Sequence, residues 1–441
     1  SEPSSRVLAN GLEALNRAEL PGNQLLPLLL PLLDHDSDRV RHEATNALLS
    51  LRPDSRAAVP HLVERLGSDD PAKRGQAIDL LGRIGPNAGD AVPSLIAHLG
   101  QATGEEQAAC RQAIVEMGQA AMPAILASAK SMPLAKLDHS WQAQCLGDIG
   151  PRVAPALSAA LETGQADTPA YLALLGLKNI GAKSAVARAA IVPFLDHERP
   201  AFRGAALAAL AASTAKPAGL LPRLQAAMRD DNTLVRQAAM DALARLGPSA
   251  RGATTALVES LDDDDAAIRL SAVLAIGKLS SDDTALAKRL AGMLDGAGPE
   301  LRLAVVESLG GFRKLPGSAV TSLVGVLDGD HAATQAAAFA ALAKLGSVAK
   351  PALPALNGAL DHDNAGVRAS ALNALARVEP DDGKRLAAFK QALGDPAATV
   401  RHTAIRELGE LGLDARPAGS ELFARLDTSE DRQLTLEALR R

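Results

Sequence analysis

An aliphatic position returns along this chain at close to 33-residue intervals. It is filled by Leu48, Leu81, Ile114, Leu146, Leu177, Leu210, Leu243, Ile276, Leu309, Leu342, Leu375 and Leu408. Seven residues before each lies a landmark. It is arginine at Arg41, Arg74, Arg203, Arg236, Arg269, Arg302, Arg368 and Arg401, and Gln107, His139, Ala170 or Gln335 elsewhere. Successive arginines are 33 residues or a multiple of 33 apart, except that Arg203 follows Arg74 by 129, three short of four repeats. Twelve units result, the fourth and fifth slightly shortened. Three residues after the landmark, nine of the twelve carry Ala. Landmark, +3, +4 and +7 share one face of a 3.6-residue helix, so this segment (helix B) is amphipathic.

Many B helices are expected to stop at a glycine able to take the left-handed conformation: Gly85, Gly118, Gly150, Gly181, Gly247, Gly346 and Gly412. A second helix, A, precedes each landmark. It often carries a proline near its start (Pro27, Pro60, Pro93, Pro123, Pro155, Pro222, Pro354), where the missing N–H is harmless. Helix A ends in an Asp-rich turn such as Asp34-His35-Asp36 or Asp361-His362-Asp363. No such hairpin can bury its apolar faces alone, so neighbours must stack. The expectation is all-α: a right-handed α-solenoid of about twelve hairpins forming one domain over 1–441. Residues 1–20 and 411–441 are partial repeats flanking the array over 21–410. Ser5–Leu15 reads as a helix B without its helix A, and Asp431–Arg441 as an unfinished one. Terminal repeats need polar caps, so the ends are expected to continue into further chain or to meet a partner.

Composition sharpens this picture. Hydrophobic residues are 47% of the chain, too many for disorder, yet aromatics are only 2%. The apolar mass is Ala, Leu, Val and Ile, which suits a thin core of closely packed helices. A net charge of −5 offers no basic stripe for nucleic acid. The longest apolar run, within Leu25–Leu33, is too short to span a bilayer and holds Pro27 and Pro31, so no direct membrane insertion is expected. A soluble protein is expected, with the compartment, cytoplasm or periplasm, left open, and a processed N-terminus an open option.

Motifs such as Asp36-Ser37-Asp38-Arg39-Val40-Arg41-His42-Glu43-Ala44 and Asp363-Asn364-Ala365-Gly366-Val367-Arg368-Ala369-Ser370-Ala371-Leu372 resemble HEAT repeats of the bacterial, phycobilin-lyase-like type. The resemblance covers nearly the whole chain. It implies a ladder of hydrogen bonds between successive units from turn Asp to helix B Arg, carried over to Asp36/Arg41, Asp231/Arg236, Asp264/Arg269 and Asp363/Arg368. Repeats 3, 4, 5 and 10 lack the arginine, so the ladder should break there.

Positions +1 and +5 after the landmark point away from the core. In most HEAT-like arrays that face lines the concave surface. Repeats 1–4 are polar or small there, whereas Tyr171, Leu175, Leu270, Leu274 and Leu303 are large and apolar, and Trp141 lies two after its landmark. These six are the candidate partner-binding residues, because an exposed apolar stripe marks interaction sites. The alternative is that curvature of an Ala-rich array lets neighbouring B helices cover them. Acidic residues before helix B (Asp230, Asp231, Asp262 to Asp265, Asp328, Asp330, Asp361, Asp363) and basic ones near its end (Arg245, Lys278, Arg313, Lys344, Arg377) complement the helix dipole. The other reading of the basic rim is a seat for an acidic partner segment.

Chemistry finds little purchase. His42-Glu43 resembles the His-Glu pairs of HEAT-repeat iron hydroxylases, but the matching His402-Thr403 has no carboxylate, and a di-iron site needs several convergent ligands. The Asp-His-Asp/Glu turns read as solvated turns. Cys110 and Cys145 sit at small-residue positions of helix B and read as free buried thiols, with a disulfide the alternative. No catalytic, cofactor or metal residue is assigned. The leading expectation is a scaffold that binds a protein partner, within a larger complex, through the concave helix B surface. An accessory or lyase-like subunit of an enzyme complex is the alternative, and a HEAT-like DNA glycosylase fits the charge and aromatic content poorly.

Overall fold

The structure, a computed structural model, describes residues 7–8, 10–12, 22–51, 54–162, 168–181, 185–213, 219–279, 282–329 and 331–440. The described residues are helical and contain no strand, so the chain is an α-solenoid of stacked hairpins. They fall into two compact units, Ser1–Ala215 with repeats 1–6 and Lys216–Arg441 with repeats 7–12 and a further hairpin. Most of the partial repeat expected over 1–20 lies outside the described residues.

One packing rule builds both units. All twelve recurring aliphatic residues are buried, none more than 6% exposed. Within a unit each helix B lies against helix B of the next repeat: Pro71–Ile84 on Gly104–Met117 in the first, and Ala332–Leu345 on Ala365–Val378 in the second. Alanine at +3 permits this close approach. Between repeats 8 and 9 the approach is close enough that a Cβ added to Gly277 would stand 2.9 Å from the Ser308 Cα. The Ser308 hydroxyl donates there to the Val273 carbonyl at 2.8 Å.

Local chemistry sets the boundaries. All seven expected stop glycines have positive φ, between 54° and 82°. Several open a short 3₁₀ turn leading into helix A, as in Gly85–Ala91 and Gly346–Ala352. Pro60, Pro93, Pro123, Pro155, Pro222 and Pro354 are each the second residue of a helix A. Pro27 departs from the expectation. It and Pro31 lie past the first turn of helix Gly22–Leu32, where each removes a backbone donor. The apolar helical stretch Ala332–Asp361 is not one rod, because Gly346 (φ 55°) divides it into separate helices.

Repeats 4 and 5 are irregular. Helix B of repeat 4 begins only at Trp141, after its landmark His139, with the Ser140 hydroxyl accepting from the Ala143 N–H at 3.2 Å. Helix B of repeat 5, Thr168–Ile180, is apolar around its whole circumference, and every residue from Ala170 to Leu177 is buried. It lies between the B helices of repeats 4 and 6. The final stretch forms helix Arg432–Arg440, packed on helix B of repeat 12 (Ala398–Leu411).

Candidate functional site

The landmark arginines organise the turn end of the hairpins. Seven of the eight sit one turn inside helix B and reach back over the acidic turn of their own repeat; Arg302 does not. The Nη1 of Arg41, Arg74, Arg203, Arg236, Arg269, Arg368 and Arg401 donates to the carbonyls six and five residues earlier, at 2.6–3.3 Å. Asp36, Asp231, Asp264 and Asp363 therefore do bond their arginines, but through backbone oxygen and within one repeat rather than between successive units. The bond between repeats is made by a different carboxylate. Arg236 meets Asp263 at 3.1 Å and Arg368 meets Asp395 at 2.7 Å, both 27 residues on. Arg74 meets Glu106 at 2.7 Å, and Arg401 meets Asp431 at 2.9 Å. Repeat 10 keeps the first half of this pattern without arginine, since Gln335 Nε2 donates to the Leu327 and Gly329 carbonyls at 2.8 and 2.7 Å.

These pairs bias the carboxylates toward ionisation. Arg368 first, then the Ala397 N–H, hold Asp395 below its ordinary 3.8 against the opposing effect of burial. Arg74 does the same for Glu106 from 4.5. For Asp34 and Asp431, burial alone would raise the pKa, but Arg65 with Lys73, and Arg401 with Thr428, outweigh it. A depressed folded pKa means stability that is present above the unfolded value and lost as pH falls through the folded one. The thermal midpoint is therefore expected to be flat above about pH 5 and to drop as these groups titrate below about pH 4. A midpoint unchanged on acidification to about pH 3 would show that the ladder contributes nothing.

In the second unit the ladder frames three open clefts in a 66-residue register. The first, about 480 Å³, is lined by Met228, Arg236, Glu259, Ser260 and Asp263. The second, about 330 Å³, has Leu294, Arg302, Gly325, Val326 and Gly329 at the same positions. The third, about 450 Å³, has Leu360, Arg368, Gln391, Ala392 and Asp395. Each lies between the acidic turn of one repeat and helix A of the next, with the landmark arginine in its wall.

The six candidate partner-binding residues divide. Leu274 is open to solvent at 41% exposure, and Leu270, Leu303 and Trp141 are half-buried. Tyr171 and Leu175 are in the core, 5% and 2% exposed, and so are corrected as surface candidates. Neighbouring B helices cover them from both sides, and the Tyr171 hydroxyl donates to Asp138 Oδ1 at 3.0 Å. Tyr171, Phe202, Phe194 and His197 instead form an internal cluster. Cys110 and Cys145 are free and buried, and burial pushes their thiols up to about 11 and about 12, a state of low reactivity. Among the described residues no three His, Cys, Asp or Glu side chains are placed to hold a metal ion. Sequence reasoning missed Asp263, Asp395, Glu106 and Asp431. A carboxylate 27 residues after the landmark was the available signal for the first two.

A family model described as HEAT repeats matches residues 26–117, 188–277, 220–310, 286–376 and 353–440. The unmatched stretch 118–187 holds repeats 4 and 5, where the landmark arginine is missing and helix B of repeat 4 starts late. Comparison with curated proteins finds no match. Among solved structures, importin beta is 15% identical with a TM-score of 0.57, covering 95% of this chain and 62% of that one. Kap95p, described as inducing the switch loops of RanGDP to adopt the GTP-bound conformation on binding, is 13% identical with a TM-score of 0.52 and the same coverage. This chain thus spans 62% of the length of each, and at such identity the likeness speaks for the fold alone.

Proposed function

We infer, from the premise that this chain belongs to the HEAT-repeat family, that it is a protein-interaction scaffold whose working part is the surface of its stacked hairpins. Leu274 carries this reading. It is a large aliphatic residue left open to solvent in the middle of a regular helix, Ala266–Lys278, whose other aliphatic side chains mostly point into the core. Leu270 lies one turn earlier, and Leu303 stands half-buried on the adjoining helix B, Pro299–Leu309. Together they offer an apolar patch on the outward face of repeats 8 and 9. Trp141, half-buried at the first position of its helix, is the corresponding candidate in the first unit. Kap95p, which shares the fold, binds RanGDP. We carry over only that a chain of this fold binds another protein, with this chain a member of a larger complex.

Affinity purification from the native cells should recover a defined set of proteins with the wild-type chain. The variant Leu270→Asp/Leu274→Asp should lose them while keeping its helical circular dichroism, because neither residue is fully buried. Identical recovery with both chains would rule out the patch.

A further inference from the structure

We propose that the cleft between repeats 9 and 10 is a carboxylate-binding site built around Arg302, which takes an Asp or Glu side chain of an acidic partner segment. The chain itself displays what a landmark arginine binds at this place. In the sister clefts Asp263 and Asp395 enter from the next repeat and present carboxylates to Arg236 and Arg368. The Arg368 pair is two-pronged, Nε to Asp395 Oδ2 at 2.8 Å and Nη2 to Oδ1 at 2.7 Å. At the matching position the middle cleft has Gly329, which carries no side chain. The residue that fills the sister clefts as Glu259 or Gln391 is here Gly325, and a Cβ built on it meets nothing within 4 Å.

The turn has changed as well. Six residues before Arg302 stands Gly296, with φ of 77°, where Arg236 and Arg368 find the accepting carbonyls of Asp230 and His362. Among the described residues Arg302 is the one landmark arginine whose guanidinium has no hydrogen-bond or ion-pair partner; its backbone N–H donates to the Gly298 carbonyl. The carboxylate of the sister clefts has no counterpart at position 329, where an added Cβ would stand 3.3 Å from the Val326 carbonyl oxygen, while the arginine fork is present. Arginine's planar donors match a carboxylate two-pronged. Leu294 and Val326 in the wall suit the methylene stem of Glu, and Ser322 adds a hydroxyl. Asp295, the one carboxylate among the described residues that line this cleft, is exposed and makes no ion pair with Arg302.

This inference names the partner chemistry and so rests on the scaffold reading, but it can fail alone. The probe is fluorescein-labelled hexaglutamate followed by anisotropy at low salt, with hexaglutamine as control and inorganic phosphate and acetate as competitors. Wild type should bind hexaglutamate and not hexaglutamine. Arg302→Ala should weaken binding at least about tenfold. Gly329→Asp, which restores the internal carboxylate, should weaken it as much and raise the thermal midpoint, an opposite pair of effects that a damaged fold would not give. Affinity unchanged in both variants overturns the proposal, as does no binding to wild type. Displacement by phosphate at lower concentration than by acetate would reassign the site to phosphate and equally overturn it. If hexaglutamate fails while Leu270→Asp/Leu274→Asp still sheds its partners, only the carboxylate site falls.

Discussion

Asp431→Ala should destabilise the C-terminal hairpins by about 3–5 kcal/mol, the cost of leaving a buried charge without its partner. Asp431 is fully buried. Its carboxylate accepts from Arg401 Nε at 2.9 Å and Nη2 at 3.3 Å, and from the Thr428 hydroxyl at 3.2 Å, with His402 Nε2 at 3.0 Å. Arg401 is itself buried and holds the Asp395 and Pro396 carbonyls, while Asp395 binds Arg368. Of its carboxylate partners the guanidinium left behind would keep only Glu430, whose side chain is largely in solvent. In a repeat array a junction fails locally, so hydrogen exchange should accelerate first across Ala398–Leu411 and Arg432–Arg440. Asp431→Asn, which keeps shape and some hydrogen bonds, should cost less. A loss of unfolding free energy of less than about 1 kcal/mol would mean that Arg401 finds another partner or water. The links from Asp431 to Arg401 to Asp395 also predict that Asp431→Ala and Asp395→Ala are not additive.

Periodicity made the hairpin legible because it reports which side of a helix faces the core. Leu48 through Leu408 are buried without exception, and Gly85 through Gly412 end or follow their helices as their φ values require. It reports much less about which repeat a side chain reaches. Arg236 and Asp231 are five apart and looked like partners, yet the guanidinium takes the Asp231 carbonyl and the Asp263 carboxylate. A flexible arginine can span from one repeat to the next, and nothing in a 33-residue period says in which direction it extends. Tyr171 and Leu175 failed for another reason. Outward direction on an isolated helix does not mean solvent when the helix is flanked on both sides, and the apolar circumference of Ala170–Leu177 was the visible sign of burial. At repeat 4 the period itself misled, since counting placed His139 inside a helix that begins at Trp141. The open cleft at Arg302 was legible in principle. Its signature is Gly329 and Gly325 at positions that are acidic or amide in sister repeats, a contrast that appears only once the 66-residue register of the clefts is known.

The first unit should depend on Phe202 as the second does on Asp431. Phe202 is fully buried in helix Pro200–Ser213, edge-on to Tyr171 with ring centroids 5.3 Å apart, and stacked against Phe194 at 5.9 Å and His197 at 4.6 Å. Arg199 places its Cζ 5.3 Å from the same ring. A chain with one Trp, one Tyr and six Phe has few side chains large enough to refill such a space, and its alanines and leucines are already committed to neighbouring helices. Phe202→Ala should therefore cost about 3–5 kcal/mol, at the unrelaxed end of cavity-forming substitutions, while Phe202→Leu should cost far less. Tyr171 supplies a second readout. Burial first, and then the adjacent Asp138 carboxylate, raise its phenol above the ordinary 10. Opening the cluster to water removes the larger cause, so the lone tyrosine should ionise at lower pH in Phe202→Ala than in wild type when followed by ultraviolet difference titration. A tyrosine that titrates identically in both, with stability unchanged, would mean that helices Thr168–Ile180 and Pro200–Ser213 close over the gap and that alanine packing alone holds this junction together.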